Sequence, residues 1–223
     1  MHDIQKKLIS VKSEIKEFLS KNQIKSPEPI VIAVCKTFSM DKILPLIDYG
    51  HVDFGENKVQ EAYLKWSKIK KDNPNIKLHM VGKLQSNKVK KALEVFDYIH
   101  SVDNYKLVEK IFKYEKELGK KVKCFIQVNL SGEDQKSGIK PDQVNDFVKK
   151  CKENFSLNII GLMCLPPMNE NSEKYFDELN VLRENNKLAH LSMGMTNDYI
   201  IATKCGSTFL RIGSKIFGER KNS

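Results

Sequence analysis

Two apolar runs of this sequence end in residues that can do chemistry. Lys36 follows the run Ile30–Val34, and Gly213 and Ser214 follow the run Phe209–Ile212. A lysine that leaves a strand beside apolar walls is a candidate nucleophile for a carbonyl carbon, because desolvation favours the neutral amine. A glycine–serine turn that opens a helix offers N–H groups and a hydroxyl to a phosphate. The alternatives are a solvated lysine and a plain turn.

Arginine is rare in this chain, which makes each arginine informative. Of the 38 basic residues only three are arginines, and they are Arg183, Arg211 and Arg220. Arginine presents a planar, permanently charged fork that lysine cannot copy. Arg211 lies two residues before Gly213, so its side chain can point to the same side of the strand. If the chain binds a ligand with a pyridine ring, we expect Arg211 to face the ring nitrogen. The alternative is an ion pair with a carboxylate such as Asp198.

Other polar residues are weaker candidates. Asn57 follows the second predicted strand and either contacts a phenolic oxygen of the ligand or caps the next helix. His79 either lines the site or is a hydrogen-bonded core histidine. Lys136, in a loop of small and polar residues, is interpreted as solvated. Cys35 and Cys164 are interpreted as small core hydrophobes, and no metal site is predicted.

Short apolar runs alternate with amphipathic segments along the chain. Apolar residues at helical spacing predict an opening helix over Ile4–Leu19, which ends before the breaker Ser26–Pro29. The runs that predict strands are Ile30–Val34, Val52–Phe54, Leu78–Val81, Tyr98–Ser101, Val122–Val128, Ile159–Cys164, His190–Met193 and Phe209–Ile212. The helices predicted between them are Asp41–Tyr49, Lys58–Lys71, Asn87–Val95, Asn104–Leu118, Pro141–Asn154, Asn171–Asn185 and Asn197–Lys204.

This alternation predicts an α/β protein with a parallel sheet. Eight strands are the number that closes a (β/α)₈ barrel, so we expect a single TIM-like barrel domain over residues 1–223. Residues 1–26 are expected to form an extra N-terminal helix packed on the barrel. The alternative is an open doubly wound sheet. Its nucleotide-binding versions are disfavoured, because no G-x-G-x-x-G motif follows the first strand and no Walker A motif occurs.

In such a barrel, the residues that follow the strands meet at the carboxyl-terminal face, where active sites of the fold are built. Phosphates often bind there at the loops after strands seven and eight. Those loops are Ser192–Thr196, with a threonine hydroxyl, and Gly213 with Ser214. Since Lys36 stands across the same face, the arrangement suits a ligand with both an aldehyde and a phosphate. Pyridoxal 5'-phosphate (PLP) is the obvious candidate.

Bulk composition narrows the class of protein. With a mean hydropathy of −0.44 and no apolar run near the roughly 20 residues of a membrane helix, we expect a soluble protein without a signal peptide. Five cysteines without a C-x-x-C pair predict free thiols in the cytoplasm. The net charge of +10 suggests nucleic-acid binding as a function. The lysines are scattered through every predicted helix, however, which argues against it.

Several segments between Ile30 and Arg220 together form a recognisable pattern. They are Ala33–Thr37, Phe54–Glu61, His79–Lys88, Gln127–Asn129, Lys136–Gly138, Gly161–Met163, Leu191–Thr196 and Arg211–Gly218. In number, order and spacing these segments resemble the pyridoxal phosphate homeostasis protein family, which is related to the barrel domain of alanine racemase. Phe38 and Lys83 depart from the family's pattern at the rim of the expected site.

The resemblance implies a (β/α)₈ barrel that holds PLP as an imine on Lys36, with Arg211 facing the pyridine nitrogen. The phosphate would lie on the loops after strands seven and eight. Together with Asn57 from the motif analysis, the residues expected to bind the cofactor are Lys36, Asn57, Ser192, Gly194, Met195, Thr196, Arg211, Gly213 and Ser214.

Family members bind and deliver PLP without an established reaction, so the resemblance implies a carrier rather than an enzyme, with apo forms of PLP-dependent enzymes as recipients. The alternative is an amino-acid racemase, which needs a second acid/base opposite the lysine. Racemases supply that group from an added β-domain, and this chain ends soon after its last barrel motif. A phosphosugar aldolase would need a carboxylate that is not evident beside Lys36. We expect a monomer without nucleic-acid or membrane partners.

Overall fold

A computed structural model describes residues 1–133 and 135–219, so Arg220 lies outside the described part. Its centre is a closed barrel of parallel strands in the order β1 to β8, in which β8 pairs with β1. Ile32 of β1 stands opposite Arg211 of β8. The predicted barrel is confirmed, and the open doubly wound sheet is not what the chain forms.

Each strand is followed by a helix or a helical turn. The strands are β1 (Ile30–Val34), β2 (Asp53–Glu56), β3 (Lys77–Met80), β4 (Tyr98–Val102), β5 (Lys123–Gln127), β6 (Asn158–Met163), β7 (His190–Ser192) and β8 (Phe209–Ile212). The helices are α1 (Asp3–Lys21), α2 (Met40–Asp48), α3 (Val59–Asp72), α4 (Val89–Val95), α5 (Tyr105–Leu118), α6 (Val144–Glu153), α7 (Ser172–Asn185), α8 (Tyr199–Lys204) and α9 (Ser214–Phe217). Helical turns of 3₁₀ type, Ser86–Lys88 and Pro141–Gln143, precede α4 and α6.

Successive residues of β1 point into two different apolar layers, as in any strand. Val31 and Ala33 belong to the outer layer between strands and helices, whereas Ile32 and Val34 belong to a smaller cluster inside the barrel. The same alternation gives Lys36 the inward direction at the carboxyl end of β1. The apolar strand therefore aims its terminal lysine into the barrel mouth.

The opening helix α1 covers the outside of the barrel near its last elements. Its start is fixed by a capping box, in which His2 accepts the Ile4 N–H and Gln5 accepts the His2 N–H. One face of α1 is buried in the outer apolar layer. Glu14 accepts a hydrogen bond of 2.7 Å from Lys215 of α9, which ties α1 to the short helix after β8.

No helix in the described ranges has both the length and the apolarity that crossing a bilayer requires.

Candidate functional site

A cavity of about 1270 Å³ opens at the carboxyl-terminal face of the barrel. It is lined mainly by residues at and beyond the ends of the strands, as the fold leads one to expect. Of the residues predicted to bind the cofactor, those in its wall are Lys36, Asn57, Met195, Thr196, Arg211, Gly213 and Ser214. The structure therefore brings together side chains that lie up to 178 positions apart in the sequence.

The half-buried Lys36 precedes a residue with an unusual backbone conformation. Thr37 has φ +68°, in the left-handed region that a β-branched residue avoids. Its N–H donates a hydrogen bond of 2.9 Å to Glu61 Oε1 on α3. This bond holds the strained peptide in place, and the strain sits beside the candidate nucleophile.

The same helix also holds the peptide carbonyl before Lys36. Lys65 Nζ donates to the Cys35 carbonyl at 3.3 Å and to Glu61 Oε1 at 3.2 Å. It also pairs with the fully buried Glu56 at 2.8 Å. Burial works against the charged lysine, but the hydrogen bond and charge of Glu56 prevail and raise the pKa of Lys65. We call Glu61 and Lys65 the α3 clamp, because they fix the peptide groups on both sides of Lys36.

Arg211 reaches the cavity from β8 and is 5% exposed. Its Nη1 donates to Ser192 Oγ at 2.6 Å, and its Nη2 donates to the Cys164 carbonyl at 2.9 Å. Asp198 instead accepts the Met195 N–H at 2.6 Å, so the alternative of an Arg211–Asp198 ion pair is not found. Burial lowers the pKa of Arg211 from its ordinary value. The guanidinium is thus held from two sides without a carboxylate partner in the described chain.

Two residues predicted to bind the phosphate lie away from the cavity wall. Ser192 is completely buried, and its hydroxyl contacts Arg211 and His100. Gly194 has φ +90°, and a Cβ there would lie 2.5 Å from Ala202 Cβ. These placements give Ser192 a role in holding Arg211, and they give Gly194 a role in packing the loop against α8. The sequence alternation predicts an inward direction for Ser192, but it does not give the depth along the barrel.

The loops after β7 and β8 meet at the predicted phosphate end. Ser214 Oγ donates to Thr196 Oγ1 at 3.2 Å, and the Lys215 N–H lies 3.5 Å from the same oxygen. Gly213 lies beside them and lines the cavity. Two hydroxyls and a glycine therefore converge where the fold commonly binds phosphate.

Asn57 supplies a polar atom that the protein leaves unsatisfied. Its Oδ1 is buried in the cavity wall and makes no hydrogen bond with the described residues. The helix that follows begins at Val59 with Lys58 as its N-cap, so the alternative of Asn57 as a helix cap is wrong. Buried polar atoms normally have partners. An orphan of this kind in the wall fits a polar group of a bound ligand.

His79 is a satisfied core histidine and does not line the cavity. It is fully buried, its Nε2 lies 3.1 Å from Asp53 Oδ1, and its Nδ1 lies 3.0 Å from His100 Nε2. Its ring stacks on Tyr98 at 4.2 Å. Sequence reasoning missed His100, although its position two residues after Tyr98 in a predicted strand gives it the same inward direction.

Lys136, which the loop composition leaves between approaching the mouth and being solvated, lines the cavity and stays partly exposed to solvent. It is half-buried and forms an ion pair with Glu133. The loop brings this lysine to the mouth because Asn129 binds the loop's carbonyls, with bonds of 2.9 Å to Glu133 and 3.3 Å to Lys136.

All five cysteines are free and buried, as predicted. Burial raises the pKa of the Cys35 thiol well above its usual range, and it raises that of Cys164 to about 12. The thiols therefore behave as apolar core groups rather than as nucleophiles.

The residues of the wall fit PLP. Lys36 offers an amine, Thr196 and Ser214 offer hydroxyls to a phosphate, and Arg211 offers a fixed donor. The unsatisfied Asn57 Oδ1 offers an acceptor in the same wall. The donor set thus matches an aldehyde, a phosphate and a heterocycle with polar substituents.

Comparisons with known proteins agree with this chemistry. Residues 16–221 match the family model for the N-terminal domain of alanine racemase. The pyridoxal phosphate homeostasis protein of Pasteurella multocida is 35% identical over 232 residues, covering 99% of both chains. PipY of Synechococcus elongatus, solved with PLP bound, is 33% identical with a TM-score of 0.78, covering 92% of this chain and 100% of PipY.

A more distant neighbour shows the fold alone. Alanine racemase of Clostridium difficile has a TM-score of 0.71 at 13% identity, and the match covers 99% of this chain and 57% of the racemase. The full-length match to the Pasteurella protein is the decisive one, since it is close in sequence and complete at both ends. On this ground, and with the barrel and its lysine in place, the chain belongs to the pyridoxal phosphate homeostasis protein family.

Proposed function

We propose that this protein binds PLP reversibly through Lys36 and acts in PLP homeostasis and delivery rather than in catalysis. The observation that carries the proposal is the convergence of Lys36, Arg211 and the Thr196–Ser214 loops on one cavity. The printed names of the relatives and the PLP found in PipY support it. PLP supplies an aldehyde carbon, to which the Lys36 amine bonds with the loss of water.

The protein's own groups then divide the work of holding the cofactor. Thr196 and Ser214 provide hydroxyls for the phosphate, with Gly213 permitting close backbone approach. Asn57 Oδ1 accepts a hydrogen bond from the phenolic O–H. Arg211 donates to the pyridine nitrogen, and its guanidinium gives up a proton too reluctantly to protonate that nitrogen. The ring is therefore a weaker electron sink than one paired with a carboxylate.

The shape of the cavity favours a carrier over an enzyme. Its volume of about 1270 Å³ exceeds the roughly 300–1,000 Å³ of sites that enclose a small ligand. A cavity of this size admits water. It therefore does not protect a reactive carbanion from protonation by water, as a closed active site does. It also leaves a route by which the cofactor can depart. We propose that apo forms of PLP-dependent enzymes receive it, that the protein works in the cytoplasm, where its free thiols stay reduced, and that it is a monomer.

Absorbance tests the proposal directly. Purified protein titrated with PLP should acquire a visible imine band, which Lys36→Ala should lose. Lys83→Ala removes another lysine from the same cavity wall and is the matched control, in which the band should persist. A Lys36→Ala protein that keeps the band would overturn the assignment.

A second measurement separates the carrier from the racemase. The loaded protein is incubated with L-alanine in deuterated water, and exchange of the α-proton is followed by NMR. A carrier gives negligible exchange and passes its PLP to an apo-enzyme. Exchange at the usual enzyme rates, about 1–10³ per second, would establish a racemase instead.

A further inference from the structure

Hydrogen bonds connect Arg211 to the opposite end of the barrel. From Arg211, Nη1 lies 2.6 Å from Ser192 Oγ, which lies 2.8 Å from His100 Nδ1. His100 Nε2 lies 3.0 Å from His79 Nδ1, and His79 Nε2 lies 3.1 Å from Asp53 Oδ1. We call Ser192, His100, His79 and Asp53 the interior relay. It joins four different strands through the centre of the molecule.

The relay is sealed from water along its middle. Ser192, His100 and His79 are completely buried. His79 stacks on Tyr98 at 4.2 Å, and His100 stacks on Phe125 at 4.4 Å. Any donor or acceptor left unpaired here would bear the full cost of its lost hydration. The protons of the relay must therefore be arranged so that every bond has one donor and one acceptor.

The two ends of the relay fix the direction of every bond. Arginine can only donate, so Ser192 Oγ accepts from Arg211, and its O–H is free to donate to His100 Nδ1. His100 then carries its proton on Nε2 and donates to His79. His79 likewise carries its proton on Nε2 and donates to Asp53, whose carboxylate can only accept. Both histidines are neutral in this arrangement, and both have the same tautomer.

If every hydrogen bond of the relay were donated in the opposite direction, the groups at both of its ends would be mismatched. This arrangement would place the lone pair of His79 Nε2 against the Asp53 carboxylate, and it would leave the Ser192 hydroxyl without an acceptor in the described chain. A doubly protonated His79 or His100 would direct the His100 Nδ1–H at Ser192 Oγ and would again leave the Ser192 hydroxyl without an acceptor in the described chain. Burial lowers the pKa of His79, and it lowers that of His100 well below its usual range, which agrees with two neutral rings.

We propose that the interior relay is a positioning device that holds the Arg211 guanidinium toward the cofactor ring and balances its charge with Asp53. Arg211 has no ion pair within residues 1–133 and 135–219. Asp198 acts on its charge only through space, and the aligned dipoles of the relay add compensation from Asp53. Asp53 lies at the amino end of the barrel, where it lines a separate cavity of about 300 Å³. The part of the proposal that concerns PLP rests on the proposed function.

The protein without cofactor gives the first test. Long-range ¹H–¹⁵N NMR of the histidine side chains distinguishes the two tautomers and the charged ring. Near pH 7, His79 and His100 should both be neutral with the proton on Nε2. A proton on Nδ1 of either ring would overturn the relay. This result does not depend on PLP binding, so it stands or falls separately from the proposed function.

The second test measures PLP dissociation constants in a double-mutant cycle. Asp53→Asn keeps an acceptor for His79 and removes only the charge, and we expect about three- to tenfold weaker PLP binding. Ser192→Ala interrupts the relay near Arg211, so adding Asp53→Asn to it should change binding by less than about twofold. Glu28→Gln removes a charge from the same amino-end cavity outside the relay and should leave binding unchanged.

The outcomes separate the two proposals. If the wild-type protein fails to bind PLP, the proposed function falls, while the NMR result still decides the relay. If the wild-type protein binds PLP but Asp53→Asn binds it equally well, the relay does not act on Arg211. Equal effects of Asp53→Asn with and without Ser192→Ala would also overturn it. Should Asp53→Asn fail to fold, the tautomers in the wild-type protein remain decisive.

Discussion

The geometry of single side chains matters more in this site than their charge. Arg211 bonds a hydroxyl and a carbonyl at the same time through two nitrogens of one rigid plane. A lysine ammonium is a point charge on a flexible stem and cannot reproduce that fork. The use of arginine at this position, in a chain that otherwise uses lysine, thus has a structural reason.

Arg211→Lys should weaken PLP binding about ten- to a hundredfold, because at least one charge-assisted hydrogen bond is lost, worth about 1.5–3 kcal/mol. Titration of the imine band measures the change. Arg183→Lys alters an arginine on α7 that does not line the cavity, and its affinity should equal that of the wild type. An unchanged affinity in Arg211→Lys would show that the fork has no part in binding.

Sequence patterns give the direction of a side chain but not its layer in the barrel. Lys36 and Arg211 are predictable because an apolar alternation leads directly to each. Ser192 has the same inward direction, yet it lies beneath the cavity, and His100 is invisible among ordinary strand residues. Depth depends on the stagger of the strands around the closed barrel, which one sequence does not display.

At the scale of elements, α3 fixes the peptide groups that follow the end of β1. The α3 clamp bonds the Cys35 carbonyl before Lys36 and the N–H of Thr37 after it, and Thr37 has a left-handed backbone. A left-handed conformation costs a residue other than glycine roughly 1–2 kcal/mol, so it needs such support. The helix thereby restricts the backbone conformation at Lys36, and with it the positions that the lysine amine can reach.

Glu61→Ala should loosen this arrangement, since the Thr37 N–H loses its acceptor and Lys65 loses one partner. We expect three- to tenfold weaker PLP binding and a loss of about 1 kcal/mol in the free energy of unfolding. Imine titration and urea unfolding measure the two effects. Glu94→Ala on α4 removes an exposed carboxylate and should change neither quantity. Full affinity in Glu61→Ala would mean that β1 alone positions Lys36.

The existence and order of the elements are predictable from periodicity, whereas their first turns are not. The predicted helices over Asn87–Val95 and Pro141–Asn154 are found, but the first turn of each predicted range is 3₁₀ rather than α. The residues that start an α-helix also suit a 3₁₀ turn, so local sequence does not separate the two.

At the scale of the whole molecule, buried neutral histidines make stability depend on pH. Burial lowers the pKa of His51 to about 4, and it lowers the pKa values of His79 and His100 as well. An unfolded chain titrates its histidines near 6.5. Below that pH the unfolded chain gains protons that the folded protein does not accept. Stability is therefore complete above about pH 6.5 and falls as the pH drops toward 4.

The free energy of unfolding in urea should decrease between pH 7.5 and pH 5, by up to about 1.4 kcal/mol per pH unit for each histidine. Comparison with a histidine variant assigns the slope to the buried rings. His51→Gln should reduce the slope, because it removes a buried ring whose pKa is lowered to about 4. Equal stability at pH 7.5 and pH 5 would contradict the assignment of neutral rings.

The number of strands favours closure of the barrel, because eight parallel strands with their crossovers suit it, although the same number also fits an open doubly wound sheet. The link between the two ends of the barrel is not predictable in this way. Asp53 and Arg211 are 158 positions apart, and only the closed sheet brings their connecting residues into line.

The burial of the cysteines has a consequence for selectivity. Cys35 precedes Lys36 in the chain, yet it points outward between β1 and α3, where its sulfur faces Glu56. With all five cysteines enclosed and protonated, no thiol competes with nitrogen for an electrophile that enters the mouth. Side chains that alternate along β1 and just beyond it thus give selectivity between nucleophiles. The Lys36 amine faces the cavity, whereas the Cys35 thiol is buried on the other side.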